Sequence, residues 1–395
     1  MKTSELLEYR ICTRCVMDTS DKKIVFNEKG ECNHCLRYDS VVRPQILSAV
    51  DKQIQMEVLI GKVIEAGKGN KYDCLIGLSG GMDSSYVVYL AKKHNLRPII
   101  VHFDNGWDSE LAVKNIENII KKSGFDYYNY IVNWDEFRDL QRAYFKASVV
   151  DVEVPTDMGI FSLIPKLAIR FGVKYILFGA NIETESTMGA DWNFPGKMDR
   201  SNLEDIYKNY GEKQLFTFPY FSPIRQLLYR YKDIKQVNVL LYDECDYRKI
   251  KEILVKEFEW RDYGVKHGES TFTRYYQSSY LVNKFFFDKR RAHFSDQINS
   301  GHFDRKHGLE LLKLPVYKNK EEEMQEKKYV CTKLGFSENE FDEMIRSPSR
   351  SHFDFRVNGY YGNWFDQMVL TFLNCIMVTR RMLGKVYRQL FGIIK

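Results

Sequence analysis

The chain has 395 residues, 44% of them hydrophobic, with a formal net charge of +6, which leaves room for two or three domains around a sizeable core. The small basic excess favours acidic ligands such as nucleotides or nucleotide sugars and does not demand nucleic acid. The opening MKTSELLEYRICTRC carries charges where a signal peptide needs apolar residues, and no apolar run approaches the roughly 20 residues of a membrane span, so a cytoplasmic protein is expected.

Of the eight cysteines, four form the pattern C-x2-C-x16-C-x2-C at Cys12, Cys15, Cys32 and Cys35. Each CxxC pair can turn two sulfurs toward one tetrahedral ion, and four thiolates leave no open position, so the spacing predicts a structural Zn2+ site. Ile24, Val25 and Phe26 read as a short strand and Asn27–Gly30 as a turn between the pairs. His34 is a bystander on this reading, because the sulfurs already suffice. Nucleic-acid binding by the ribbon is the rival meaning, but Arg14, Lys22, Lys23 and Lys29 lend it little positive charge.

Pro44, followed by Ile46, Val50, Ile54 and Val58 at four-residue spacing, predicts an amphipathic helix over 44–66 that ends at Gly67 and Gly69. From Tyr72 onward strands are expected at 73–78, 98–103, 127–133 and 174–179. Helices are expected at 84–95, 108–123, 135–148 and 157–172. This alternation means an α/β fold with a doubly wound parallel sheet, whose ligands bind beyond the carboxyl ends of the strands. Three loops lie there: Ser79–Ser85, Asp104–Trp107 and Gly179–Glu185. After about residue 245 the chain reads mostly helical. Its last stretch, Ile376–Lys395, is basic and amphipathic, suited to an anionic membrane surface, a docking partner or its own domain. The expected units are 1–43 zinc ribbon, 44–70 linker helix, 71–245 nucleotide domain, 246–358 helical substrate or partner region, and 359–395 tail.

Residues 74–85, CLIGLSGGMDSS, run from an apolar strand through SGGxDS into a helix. Gly80 and Gly81 let the backbone turn tightly or approach a ligand, and the amides at the helix start, Asp83, Ser84 and Ser85, point at an anion. Ser79, Ser84 and Ser85 add hydroxyls. The Walker pattern GxxxxGK[ST] is absent, and SGGMDS instead resembles the motif of the PP-loop ATPases. That resemblance implies cleavage of ATP between its α and β phosphates, transfer of AMP to a substrate oxygen, and release of pyrophosphate.

The segments YRICTRCVMDTS, LSGGMDSSY, VHFDNGWDSELAVKNIENI, DVEVPTDMGIF, ILFGANIETES and DYGVKHGESTFTRYYQ resemble, over roughly residues 8–355, the N-acetyl sugar amidotransferase family. The resemblance implies conversion of the acetamido group of a nucleotide-linked or related bacterial surface sugar, of lipopolysaccharide O-antigen or flagellin glycan, to an acetamidino group. It implies ATP and Mg2+ as cofactors. A separate glutaminase subunit would supply ammonia, in some systems with a barrel-type partner. By the same resemblance, Ser79, Gly80, Gly81, Asp83, Ser84 and Ser85 would carry the pyrophosphate end of ATP, with Asp83 a Mg2+ ligand or a helix cap. Phe103, Asp104, Asn105, Gly106 and Gly179 would face the nucleotide. Asn181, Glu183 and Glu185, with Asp83 and Ser84, would stand near the reacting centre. Trp192, Arg200, Lys266, His267, Glu269 and Arg274 are the candidates for the sugar, with surface ion pairing the alternative for Arg200 and Arg274. Two rival readings remain open: a PP-loop tRNA-thiolating enzyme, and a non-catalytic binding adaptor. Cys74, inside an apolar strand, reads as a core residue.

Overall fold

The computed structural model describes residues 8–358 except Cys245, Val265 and His267, with the side chains of Pro223 and Ile224 also outside the description. The C-terminal basic helix expected from the sequence, the His267 sugar contact, and Cys375 lie outside the described residues.

Five parallel strands form one sheet in the order β3-β2-β1-β4-β5: β1 (Cys74–Gly77), β2 (Pro98–Asp104), β3 (Asp126–Ile131), β4 (Tyr175–Phe178) and β5 (Lys235–Asn238). β1, between β2 and β4, is buried on both faces, which is why it reads as a continuous apolar run. β5 was not expected. Its KQVN sequence is mostly exposed at the sheet edge and carries no apolar pattern to announce a strand.

Helices cover both faces. α1 (Ala49–Ala66), α2 (Met82–Lys93), α3 (Glu110–Ser123) and, later in the chain, α6 (Tyr247–Phe258) share one apolar cluster with Cys74, Ile76 and Leu177. α5 (Val154–Arg170) covers the other face through Leu163, Ile164, Leu167 and Ala168 against Leu75, Ile99 and Ile176. The order reverses between β1 and β4, so their carboxyl ends face one crevice. A third cluster runs from Met17 and Ile24 through Trp107, then Phe137, Leu140 and Phe145 of α4 (Trp134–Lys146), to Phe272, Tyr280, Leu334, Phe341 and Phe355. The region after 270 is helical, including α7 (Arg290–Asn299).

Two local expectations are corrected. α1 begins at Ala49, where the Ser48 hydroxyl caps the Asp51 amide; Pro44 lies in a separate short turn. The face of α1 turned inward is Met56, Leu59, Ile60 and Val63, while Val50, Ile54 and Val58 are exposed. A spacing of i, i+3, i+4 and i+7 follows the helix, whereas a strict interval of four drifts around it. In the ribbon, Ile24–Phe26 form no strand: Phe26 makes a single bridge to Cys32.

Candidate active site

The loop leaving β1 is built by small residues against close neighbours. Gly80 has φ +80°, and a β-carbon there would lie 2.9 Å from the Ala112 carbonyl oxygen of α3. The Ser79 amide donates to Ser84 Oγ at 3.2 Å, the Gly81 amide donates to Ser79 Oγ at 3.2 Å, and Trp260 Nε1 donates to the Gly80 carbonyl at 3.0 Å. Across the crevice, a β-carbon on Gly179 would fall 2.8 Å from the Asp83 carbonyl carbon, so the end of β4 presses directly on the start of α2. Ser85 plays a different part from that expected: it is fully buried and its hydroxyl fastens the loop by donating to the Gly81 carbonyl at 2.6 Å. The Met82 amide donates to the Tyr263 hydroxyl at 3.0 Å. The amides of Asp83 and Ser84, in the first turn of α2, have no acceptor within their helix and remain the natural anion contacts.

Carboxylates gather at this turn. Burial pushes the Asp83 carboxyl up to about 6, with Lys266 opposing the shift and Glu185 adding to it; its Oδ1 has no hydrogen-bond partner. Glu269 Oε1 accepts from Ser79 Oγ at 3.4 Å, and burial pushes its carboxyl up to about 7. Burial works against the charge of Lys266, yet Glu185 and Asp83 outweigh it and hold the ammonium above the ordinary lysine range. Lys266 Nζ lies 2.8 Å from Glu185 Oε1, 4.0 Å from Asp83 Oδ2 and 3.2 Å from Thr184 Oγ1.

These groups form the polar end of a cavity of about 360 Å³ whose other end is apolar, lined by Val101, Phe103, Ile160, Ile164 and Phe178. An apolar end leading to amides, hydroxyls and an ammonium has a polarity that suits a purine followed by a polyphosphate. Ser79, Gly81, Asp83, Ser84, Phe103, Asn105, Gly179, Glu185, Lys266 and Glu269 line it, together with Tyr263, Thr156 and Thr273, which the sequence did not single out.

Other expected residues lie elsewhere. Asp104 accepts from the Gly106 amide at 2.9 Å and faces a neighbouring cavity with His102 and Asp108. Gly106, at φ +79°, turns under the Trp134 ring, and its carbonyl receives Lys333. Asn181 caps the short helix Ile182–Glu185 through the Glu183 amide, and its Nδ2 donates to Tyr247 at 3.3 Å. Glu183 pairs with Lys52 at 2.9 Å. Trp192 is 2% exposed and stacked on Phe287 at 4.4 Å, so it offers no open platform. Arg200 pairs with Glu204 at 2.7 Å and covers Tyr220. Arg274 is clamped by Glu326 at 2.7 Å and Glu322 at 3.4 Å on the wall of a second cavity, of about 720 Å³.

The four ribbon sulfurs lie 3.6 to 3.8 Å apart across Cys15–Cys32, Cys12–Cys35 and Cys32–Cys35. Four sulfurs about 2.3 Å from one centre in a tetrahedron stand roughly 3.8 Å apart, so the cage fits a single zinc-sized ion. Amides of Arg14, Cys15 and Cys32 donate to Cys12 Sγ. His34 bonds Asp21 at 2.7 Å and stands outside the sulfur set. The knuckle rests on the C-terminal helices: Arg305 Nε donates to the Cys12 and Cys15 carbonyls, Ser295 accepts from the Val16 amide, and Arg291 pairs with Asp18 at 3.0 Å. No described helix is long and apolar enough to cross a membrane.

Residues 269–368 match the family model described as LPS biosynthesis protein WbpG-like, C-terminal domain. An uncharacterised protein of Methanocaldococcus jannaschii, MJ1599, is 32% identical over 112 residues, which are 28% of this chain and 38% of that protein. The chain therefore spans well under half the length of the curated relative it matches. Among solved structures, similarity is found to the NH3-dependent NAD synthetase of Campylobacter jejuni, at 16% identity over 54% of this chain and 94% of that one, with a TM-score of 0.28. NMN synthetase of Francisella tularensis is 12% identical over 69% and 99%, with a TM-score of 0.30. The U34-tRNA thiolase NcsA of Methanococcus maripaludis, solved with its 4Fe–4S cluster, is 14% identical over 78% and 90%, with a TM-score of 0.27. At scores this low the fold rests on the strand order and the loop geometry above, and not on the superpositions.

Proposed function

We propose that this chain, whose residues 269–368 match the family model of the WbpG-like LPS biosynthesis protein C-terminal domain, is an ATP-dependent amidotransferase acting on an N-acetylated, nucleotide-linked surface sugar. The observation that carries the reading is the SGGMDS loop at the sheet reversal, with Asp83, Glu185 and Lys266 gathered beside it in a cavity that is polar at one end and apolar at the other.

An amide carbonyl is a poor electrophile, and its oxygen must be activated before nitrogen can replace it. In the proposed reaction the acetamide oxygen attacks the α-phosphorus, the bond to the β-phosphate breaks, and pyrophosphate leaves. The amide N–H proton is lost, giving an O-adenylyl imidate. Ammonia then adds to the imidate carbon, the C–O bond breaks, AMP departs, and a proton lost from the added nitrogen leaves the amidine. The amides of Asp83 and Ser84 and the hydroxyls of Ser79 and Ser84 meet the departing diphosphate. Lys266 would offset charge developing at the α-phosphate, and Glu185, hydrogen-bonded to it, would take the proton from the entering nitrogen. The partnerless Oδ1 of Asp83 fits a Mg2+ contact, and that ion would neutralise the phosphates when bound. Zn2+ in the Cys12, Cys15, Cys32 and Cys35 cage would be structural. The ammonia would come from a separate glutaminase subunit.

A thiolating reaction finds less support, because among the described residues no cysteine lines either cavity and Cys74 is wholly buried within β1. The test is incubation with ATP, Mg2+, ammonium and N-acetylated nucleotide sugars. The expected products are AMP, pyrophosphate and a sugar in which one oxygen has become NH. Pyrophosphate release stimulated by tRNA but by no sugar would reverse the choice.

A further inference from the structure

Building on that reading, we infer that the cavity of about 720 Å³ next to the nucleotide cavity is the acceptor site, and that it takes a nucleotide-linked N-acetylated hexose whose acetamide meets the nucleotide at Lys266.

One strip of chain divides the two cavities. Tyr263, Glu269 and Thr273 line the nucleotide side, Gly264 and Arg274 line the other, and Lys266 lines both. A molecule in the second cavity therefore approaches the phosphate loop through Lys266. The same junction is bridged from α7, where His293 lines the second cavity with Nδ1 3.3 Å from the Thr184 carbonyl oxygen. The Thr184 hydroxyl in turn accepts from Lys266. An unbroken line of polar groups thus leads from the second cavity to the acids beside the loop.

The lining selects a class of ligand. Its guanidinium groups are already engaged: Arg274 by Glu326, and Arg290 by Asp288 at 2.7 Å and by the Leu312 and Leu314 carbonyls. Beside Lys266, His293 and Glu323, the wall carries neutral polar groups. The side-chain amides of Gln277 and Gln297, half-buried in the wall, bond to no other described residue. Each offers a donor and an acceptor together, the pairing that sugar hydroxyls satisfy. Phe294 and Val282 supply the apolar surface that the faces of a pyranose ring cover. The exposed Lys318 and Lys320 bring positive charge to the rim, while Lys289 faces Glu153, Asp151 and Asp157, so a diphosphate fits at the edge and a neutral ring fits within. The volume lies within the roughly 300–1,000 Å³ of small-molecule sites.

The experiment measures binding to the full chain of UDP-N-acetylglucosamine, UDP-N-acetylglucosaminuronate and free N-acetylglucosamine, with α,β-methylene-ATP as the nucleotide probe. At least one UDP-linked sugar is expected to bind, and more tightly than the free sugar. Gln277→Ala and Gln297→Ala should each weaken that binding by about three- to tenfold, the worth of one or two hydrogen bonds, with nucleotide affinity unchanged. Val282→Trp, at a position 38% exposed, should block the sugar from the surface without disturbing the core. Binding of the nucleotide probe with no UDP-linked sugar bound, or with sugar affinity the same in all three variants, overturns the inference and leaves the ATP-dependent reading standing. Equal binding of the free sugar removes its nucleotide-linked part. Sugar binding sensitive to these variants in a protein that takes no nucleotide would keep the cavity assignment and sink the amidotransferase.

Discussion

The Glu269 carboxylate rests on the phosphate loop: its Oε1 accepts from Ser79 Oγ at 3.4 Å, and a β-carbon on Gly81 would stand 2.8 Å from the same oxygen. An acid is thus held against the surface that the loop offers to an anion. Its position is fixed by backbone bonds on either side, from the Ser109 amide to the Glu269 carbonyl and from the Thr271 amide to the Trp107 carbonyl. On the proposed reading, phosphate and a charged Glu269 would compete for this place, and the raised pKa of the carboxyl would set when they do.

ATP binding without Mg2+ should weaken as pH rises through about 7, where Glu269 loses its proton. Below that pH the carboxyl is neutral and tolerates the phosphates; above it the two repel. Glu269→Gln should flatten the profile and bind on the order of tenfold more tightly at pH 8, a gain of about 1.4 kcal/mol. Titration calorimetry from pH 6 to 8.5 checks this, and an unchanged slope in the variant would refute it.

Gly80→Ala places a side chain at φ +80° and its β-carbon 2.9 Å from the Ala112 oxygen, which should cost about 1–3 kcal/mol and abolish tight nucleotide binding. Gly61→Ala, in the middle of α1 with open space around the new methyl, should instead stabilise the fold by roughly 0.5–1 kcal/mol. Thermal denaturation separates the two signs.

Asp83→Asn and Lys266→Met should each lower pyrophosphate release by about a hundredfold or more, since in the proposed reaction both would act on charge that develops at the phosphates. Zinc content should be the same as in the parent. Turnover within about twofold of the parent in Lys266→Met would remove that residue from the mechanism.

Metal analysis should find about one zinc per chain and no iron. Cys15→Ser should lose the metal and lower thermal stability, and the disturbance should reach α7, because Arg291 and Ser295 of that helix hold the knuckle. Hydrogen exchange should quicken in Arg290–Asn299, and unaltered protection there would contradict the coupling.

The sequence revealed what depends on local pattern. The CxxC pairs, the apolar β1 and the SGGMDS turn announce themselves because each needs particular residue types at fixed spacing. β5 escaped because an edge strand with polar residues carries no period. Asn181 and Glu183 looked like active-site groups from their place after β4, yet they cap a helix end and pair with Lys52, contacts set by distant chain. Lys266 and Glu269 could be named as candidates but not assigned to the cavity beside the loop, because tertiary packing alone brings them, more than 180 positions along the chain, to Asp83 and Ser79. Trp192 shows the converse: an aromatic suited to a sugar is sealed against Phe287.

The third apolar cluster takes in Cys12 and Met17, Phe137 and Phe145 of α4, and Phe272, Leu334 and Phe341. A cut at residue 269, where the recognised family segment begins, would slice through the middle of that cluster. An excised C-terminal piece would expose Phe272, Tyr275 and Tyr280 to water and leave its aromatic partners behind, so swapping this segment between relatives demands matching changes in α4 and in the ribbon.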